Sequence, residues 1–280
     1  MIKNILVAID GSADADAARK YAVQLALKIH AQLHLVHIVD ARLFDMPFLP
    51  PTSVQLPMQL MTSSPNLQEL LTERGRKVLA EAEARCEAEE LAATSMLYIG
   101  NPAQILSEIQ SRAELVVLGR QGEHAQQSSG MTGSTTDRFV RRACRPALVV
   151  PRTAEMPDRL VVPVDGSPHA YRALQEASEL ANALALPLVI VAVAENPADR
   201  THAEELAAEA HSLVRAHDCA AATLVAEGAP AQRILEIAGQ TSSPLVIMGA
   251  YGHGWIYDRL IGSTAARILA AGTVPVLFVR

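Results

Sequence analysis

Residues 3–12, KNILVAIDGS, return as residues 158–167, DRLVVPVDGS. Each copy is a short aliphatic run that ends in Asp-Gly-Ser, which is typical of a buried strand followed by a tight turn. A repeat this distant is too long for a solenoid, so we predict a duplicated domain with halves at residues 1–152 and 159–280. Three further blocks recur in the same order: GNPAQIL (100–106) and GAPAQRIL (228–235), LVVLGRQG (115–122) and LVIMGAYG (245–252), PALVV (146–150) and PVLFV (275–279).

The composition limits the classes of function. The 280 residues suit two domains, and the formal net charge of −6 disfavours a general affinity for nucleic acid or anionic membranes. The longest apolar run, residues 183–194, is too short to cross a bilayer, and the chain reaches Asp10 without the apolar core of a signal peptide. We therefore expect a cytoplasmic protein with no nucleic-acid or membrane partner. Three widely spaced cysteines fit reduced thiols better than disulfides or a zinc site: Cys86, Cys144 and Cys219.

Apolar strand-like runs alternate with segments of helical periodicity in both halves. This alternation, with strands that are apolar on both faces, predicts an α/β fold with a parallel sheet between two layers of helices. Right-handed crossovers then give two tandem, doubly wound, Rossmann-like domains of five strands each, in the order 3-2-1-4-5. The predicted strands are 4–9, 32–39, 95–99, 115–118, 147–150, 159–164, 187–193, 223–226, 245–248 and 276–279, and the predicted helices of the first half are 13–30, 67–90, 102–111 and 135–142.

The first half carries a Pro-rich insertion at about residues 41–66. Its five prolines predict a long loop. The loop is also rich in apolar residues, which leaves three interpretations open: a mobile surface loop, a cover over a crevice, or a contact for an apolar partner.

Two glycine-bearing turns follow strands that are neighbours in the predicted sheet. Asp-Gly-Ser follows the first strand and Gly-x-x-Gly the fourth, and these strands flank the point where the winding reverses and such sheets bind ligands. In the second half, Gly249 and Gly252 are followed after nine residues by Gly262-Ser263-Thr264 at a predicted helix start. The amides and positive end of that helix suit phosphate, and Asp165 suits a ribose hydroxyl or hydrated Mg²⁺. The pattern predicts a nucleoside polyphosphate site, although neither a P-loop nor a dinucleotide fingerprint is present.

These residues resemble the nucleotide-binding pattern Gly-x2-Gly-x9-Gly-Ser/Thr of the universal stress protein family, and the likeness extends over both halves. The resemblance implies ATP, or AMP or ADP, usually with Mg²⁺. It also implies that Asp165 lies by the ribose and the metal, and that Met248 and a strand-2 residue, about Ala192, line the adenine. His253 is either near the phosphates or a solvated loop residue. The predicted site comprises Pro163, Val164, Asp165, Ala192, Met248, Gly249, Gly252, His253, Gly262, Ser263 and Thr264.

The first half departs from this pattern. Ten residues rather than nine precede Gly133-Ser134, and Glu123 places a carboxylate beside the glycine turn, where it would repel phosphate. We expect weaker nucleotide binding there or none, with a copy kept for packing or for a different ligand as the alternative. The possible second site comprises Asp10, Ile38, Gly119, Gly122, Gly133 and Ser134.

The sequence supports three hypotheses for function. The first is a nucleotide-binding stress or signalling protein in which ATP biases a conformation or a partner surface. The second is a slow ATPase or adenylate-type enzyme, although no Gly-x-Ser-x-Gly elbow or His-Glu-x-x-His pair is present. The third is an interaction or chaperone-like module that needs no nucleotide. The family resemblance also implies pairing through last strands, so we expect 147–150 and 276–279 to pair antiparallel inside one chain, and two chains to form a homodimer.

Overall fold

The computed structural model describes residues 2–44, 64–123, 132–216, 219–250 and 261–280. Strands and helices alternate in both halves. The first half contains β1 (Asn4–Ala8), α1 (Ala13–Ile29), β2 (Gln32–Asp40), α2 (Ser64–Ala88), β3 (Ala93–Gly100), α3 (Pro102–Ile109), β4 (Leu115–Gly119), α4 (Ser134–Val140) and β5 (Ala147–Val150). The second contains β6 (Arg159–Val164), α5 (Pro168–Leu184), β7 (Leu188–Ala194), α6 (Arg200–Arg215), β8 (Ala221–Glu227), α7 (Pro230–Ala238), β9 (Pro244–Gly249), α8 (Ser263–Ala271) and β10 (Val276–Val279).

The strands of the described residues form one continuous sheet in the order β3-β2-β1-β4-β5-β10-β9-β6-β7-β8. Within each half the strands are parallel, and the predicted order 3-2-1-4-5 is confirmed. β5 and β10 pair antiparallel, with Leu148 opposite Leu277. This confirms that the last strands pair inside one chain, and it makes the two predicted sheets halves of a single sheet.

Helices cover both faces of the sheet. Helices α1, α2, α5 and α6 pack on one face, and α3, α4, α7 and α8 pack on the other. Successive residues of a strand alternate between the two cores: Leu148 belongs to the first and Val149 to the second. Both cores run across both halves, which explains why the strands are aliphatic on both faces. No described helix has the length and apolar character needed to cross a membrane.

Several predicted element ends are wrong by one to three residues. The edge strand β8 spans Ala221–Glu227 rather than 223–226. Its pairing with β7 continues over all seven residues, because backbone hydrogen bonds do not require apolar side chains. Helix α3 ends at Ile109, and a 3-10 turn at Gln110–Arg112 replaces the predicted last turn.

The predicted loop at about 41–66 is shorter at both ends than expected. Ala41–Leu43 forms a 3-10 turn, capped by the side chain of Asp40. Helix α2 begins at Ser64, so the last residues assigned to the loop are helical. The rest of the insertion, residues 45–63, lies outside the described residues.

Candidate functional site

The turn after β6 fixes the position of Asp165 in the second half. The amide of Ser167 donates to Asp165 Oδ1 at 2.9 Å, and Ser167 Oγ accepts from the amide of Ala170 at 3.1 Å at the start of α5. Gly166 has a φ of 77°, a conformation that favours glycine. Residues 10–15 of the first half repeat this turn with the same two distances, 2.9 and 3.1 Å. Each half therefore holds one carboxylate at the carboxyl end of its first strand.

A close helix contact accounts for the first glycine of each Gly-x-x-Gly turn. A Cβ atom on Gly249 would lie 2.9 Å from the Cβ of His169, in the first turn of α5. A Cβ on Gly119 would lie 2.6 Å from the carbonyl carbon of Asp14, in the first turn of α1. Both positions require glycine for the packing of a helix against a strand end. They are therefore weaker indicators of a ligand than the sequence pattern suggests.

The second glycine of the first half lies against Asp10. A Cβ on Gly122 would lie 2.7 Å from Asp10 Oδ2, and the amide of Glu123 donates to the same oxygen at 2.9 Å. The amide that follows the glycine turn is therefore bound to the strand-1 aspartate. The equivalent residues of the second half, Gly252 and His253, lie outside the described residues.

The start of α8 offers backbone donors in the second half. Gly262 is the N-cap residue, with φ −58° and ψ 149°, and its amide donates to the carbonyl of Ala250 at 2.9 Å. Because glycine has no side chain to cap the helix, the first-turn amides are left for water or a ligand. Ser263 is exposed and Thr264 is half-buried in that first turn. The bond to Ala250 holds this helix end beside Gly249, the last residue of β9.

Strand pairing brings the other predicted residues of the second half to the same edge of the sheet. Pro163 and Val164 on β6 pair with Val191 and Ala192 on β7. Met248 is buried at the end of β9, which also pairs with β6. These residues and the Asp165 turn thus lie at adjoining strand ends.

Two neighbouring residues of β7, Ala192 and Val193, point to opposite faces of the sheet. Val36 on β2 pairs with Ala8 on β1, and Val191 on β7 pairs with Pro163, the equivalent residue of β6. Two residues further along each second strand, Ile38 therefore corresponds to Val193 and not to Ala192. Ile38 and Val193 are partly buried against the same core, whereas Ala192 is fully buried on the opposite face of the sheet. The sequence carried a signal for this alignment, because an acidic residue stands two positions after both Ile38 and Val193.

The first half contains a cavity of about 820 Å³, within the range of small-molecule sites. All the residues of the possible second site line it: Asp10, Ile38, Gly119, Gly122, Gly133 and Ser134.

Helix α8 of the second half supplies part of the wall of this cavity, through Ala266, Leu269 and Ala270. Two hydrogen bonds hold it there: Arg120 Nη2 donates to the carbonyl of Ala270 at 2.7 Å, and Thr132 Oγ1 donates to that of Leu269 at 3.0 Å. No sequence pattern predicts this wall, which arises only when β5 and β10 bring the halves together.

The arginines that line the cavity are each paired with a carboxylate. Because each of these pairs joins a positive to a negative charge, they leave little net charge between them. The pairs are Arg42 with Asp40 (Nε to Oδ1, 2.8 Å), Arg141 with Asp137 (Nε to Oδ2, 2.9 Å) and Arg74 with Glu123.

His37 is a further lining residue that sequence reasoning did not assign to the site. Its Nδ1 donates to the carbonyl of Ile9 at 2.7 Å, and burial lowers the pKa of the ring. The neutral ring is therefore favoured. Helix α2 lies close against it, since a Cβ on Gly75 would lie 2.6 Å from His37 Cδ2.

Comparison with known proteins agrees with this duplicated architecture. The family model described as "Universal stress protein family" matches residues 1–151 and again residues 156–280. The chain belongs to the universal stress protein family. A universal stress protein of Synechocystis sp. is 26% identical over 288 residues, which cover 100% of both chains. The crystal structure of a universal stress protein from Archaeoglobus fulgidus is 18% identical, covers 98% of this chain and 97% of its own, and has a TM-score of 0.76, which shows the shared fold.

A shorter universal stress protein has been solved in complex with cAMP. It is 27% identical, covers 44% of this chain and 96% of its own, and has a TM-score of 0.39. The binding of cAMP is a property of that protein.

Proposed function

We propose that this universal stress protein binds an adenine nucleotide, ATP or else AMP or ADP, at the second-half site. The observation that carries the proposal is the start of α8. Gly262 leaves the first-turn amides without a side-chain cap, and its bond to Ala250 holds them beside the end of β9. A nine-residue helix of this kind is a favourable site for phosphate.

Each residue of the proposed site has a distinct role. The amides of Gly262, Ser263 and Thr264 donate to phosphate oxygens, and the two hydroxyls add further hydrogen bonds. Asp165, held by the Ser167 amide, accepts from a ribose hydroxyl. The ends of β6, β7 and β9 enclose the adenine through Pro163, Val164, Met248 and, on β7, Ala192 with its neighbour Val193. Gly252 and His253 complete the predicted set.

Magnesium fits this site as a companion of the phosphates. Mg²⁺ keeps several waters and is commonly held by one or two carboxylates together with substrate phosphates. Asp165 is exposed at the strand end and provides one such carboxylate. Among the described residues, no group of three or more His, Cys, Asp or Glu side chains is arranged to hold a metal alone. Bound there, Mg²⁺ would neutralise phosphate charge.

The proposed role is a nucleotide-dependent switch in a stress response. Occupancy of the second half changes the position of α8, and with it the surface offered to a protein partner. We include a cytoplasmic location and a homodimer in the proposal, and light scattering with and without ATP would measure the assembly directly.

The proposal is tested by the nucleotide that the purified protein carries. The protein is denatured, and released small molecules are identified by mass spectrometry for the wild type, Gly262→Asp and the matched first-half variant Gly133→Asp. Both glycines are N-caps with extended ψ, where aspartate is favoured. A Cβ on Gly133 would lie 3.3 Å from the carbonyl oxygen of Arg120, a contact that a small shift of the turn relieves, so both variants are expected to fold, and circular dichroism checks this.

We expect an adenine nucleotide from the wild type and from Gly133→Asp, and at least a tenfold smaller amount from Gly262→Asp, because a carboxylate at the helix start repels phosphate. If no variant releases nucleotide and the wild type binds no ATP with Mg²⁺ in a titration, the proposal is wrong. The remaining explanation is then an interaction module that needs no nucleotide.

A further inference from the structure

Residues of both halves line the cavity of the first half. Ile38, Leu106 and Leu118 form apolar wall on the first-half side, and Leu269 faces them from α8. The hydrogen bonds of Arg120 and Thr132 to the end of α8 keep that wall in place. The cavity therefore depends on the fused architecture, and its volume of about 820 Å³ admits a molecule of nucleoside size.

The polar end of the cavity contains a helix start without a side-chain cap, Gly133, as the second half does at Gly262, but α4 has seven residues where α8 has nine. The turn amide of Glu123, a donor that could meet a phosphate oxygen, binds Asp10 Oδ2 instead. Asp10 also accepts from the amide of Ser12, so both of its oxygens are oriented by the backbone. A carboxylate oxygen has a second lone pair, so Asp10 can still accept from a ligand hydroxyl.

The charge of the cavity disfavours phosphate. The described lining residues include four carboxylates and three arginines, a net charge of −1 with His37 neutral. Every one of those arginines has a carboxylate partner, and Arg74 is bound by Glu123 beside the glycine turn. A phosphate would enter without an uncommitted cation among these residues and with the Glu123 carboxylate beside the glycine turn, where the second half has His253, which is unfavourable in a partly buried site.

We infer that the first-half cavity binds a neutral nucleoside, a base with an unphosphorylated sugar, and discriminates against nucleotides. This inference rests on the proposed function for the choice of adenine as the base, since the two halves are copies of one domain. The base lies between Ile38 and Leu269, and a sugar hydroxyl donates to Asp10. Glu123 enforces the discrimination by occupying Arg74.

The experiment uses the full chain carrying Gly262→Asp together with Asp165→Asn, so that the second half offers neither its phosphate contact nor its sugar contact. Adenosine, AMP and ATP with Mg²⁺ are each titrated by calorimetry. We expect adenosine to bind one site per chain, at least tenfold more tightly than ATP. Binding of ATP in preference to adenosine, or no binding of adenosine, would overturn the inference.

Two added substitutions separate the roles of the residues. Asp10→Asn is expected to weaken adenosine at least tenfold, while the same change at the exposed Asp199, which lies outside both sites, leaves it unchanged. Glu123→Gln releases Arg74 and is expected to strengthen AMP about tenfold without affecting adenosine. Equal effects of the two aspartate changes, or no gain for AMP, would contradict the assignment.

The outcome is independent of the nucleotide test on the wild type. Nucleotide released from the wild type with no adenosine binding in the chain carrying Gly262→Asp and Asp165→Asn leaves the proposed function intact and removes only this inference. Adenosine binding with no nucleotide released by the wild type would support this inference and contradict the proposed function.

Discussion

Arg19 is 1% exposed and lies in the α1–α2 contact, where the equivalent α5 residue of the second half is Leu174. Its Nε donates to Asp16 Oδ1 at 3.0 Å, and its Nη1 lies 2.8 Å from Glu89 Oε1. A buried guanidinium needs such partners, because removing one leaves a charge uncompensated. Arg85 also donates to Asp16, at 3.0 Å.

This cluster predicts a dependence of stability on pH. Burial raises the pKa of Asp16, but hydrogen bonds from Arg19 and Arg85 outweigh it, so the pKa in the folded protein is lowered. The charged carboxylate therefore stabilises the fold above its unfolded pKa of about 3.9, and this contribution is lost as pH falls through the lower folded value. We expect Asp16→Asn to cost about 1–3 kcal/mol at pH 7 and progressively less below about pH 4. Urea unfolding of both proteins from pH 7 to 3 measures the difference, and a constant difference would contradict the prediction.

Helix α8 connects the two sites at the scale of an element. It begins at Gly262, where phosphate is proposed to bind, and its last carbonyls accept from Arg120 and Thr132 at the first-half cavity. Its C-cap Gly272 has a φ of 56°, and a Cβ there would overlap the Arg120 guanidinium. The end of α8 is therefore determined by a residue of the other half.

We expect Gly272→Ala to destabilise the protein by roughly 2 kcal/mol, from the left-handed conformation and from the overlap with Arg120. Arg120→Ala in the same chain is expected to restore only the part due to overlap. A double-mutant cycle by urea unfolding separates the two contributions. If the changes in free energy of unfolding of the two single variants add up to that of the double variant, the Arg120 side chain does not clash with a Cβ at position 272.

Elements were easier to predict than contacts between them. The strands, their order and the pairing of β5 with β10 followed from repeated blocks and from the family pattern, because buried parallel strands are aliphatic on both faces. The sequence does not distinguish Ala192 from Val193 as the residue beside the adenine, since period-2 alternation of small aliphatic residues gives no unique register. The α8 wall and the Arg74–Glu123 pair join segments far apart in the chain, and no local pattern reports such contacts.

The described residues form two large cores that both cross from one half to the other, and a small third cluster of Val39, Leu67 and Leu71 lies in the first half. Leu277 on β10 is 3% exposed and lies opposite Leu148 on β5, at the centre of the sheet. Leu224 on the edge strand β8 is 42% exposed. The halves are thus expected to unfold as one cooperative unit.

Leu277→Ala is expected to cost about 2–5 kcal/mol and to shift the unfolding of both halves together, whereas Leu224→Ala costs less than about 1 kcal/mol. Far-UV circular dichroism follows the whole chain, and hydrogen exchange of the β1 and β6 amides follows the two halves separately. Two separate transitions, with only one shifted by Leu277→Ala, would show that the halves unfold independently.

Because β5 and β10 belong to one chain, the pairing of the two domains does not depend on protein concentration. Two separate chains joined through their last strands come apart on dilution, whereas here the partner strand is tethered and its effective concentration is fixed by the covalent chain. Each molecule, however scarce in a cell, keeps its two dissimilar halves together in a ratio of one to one.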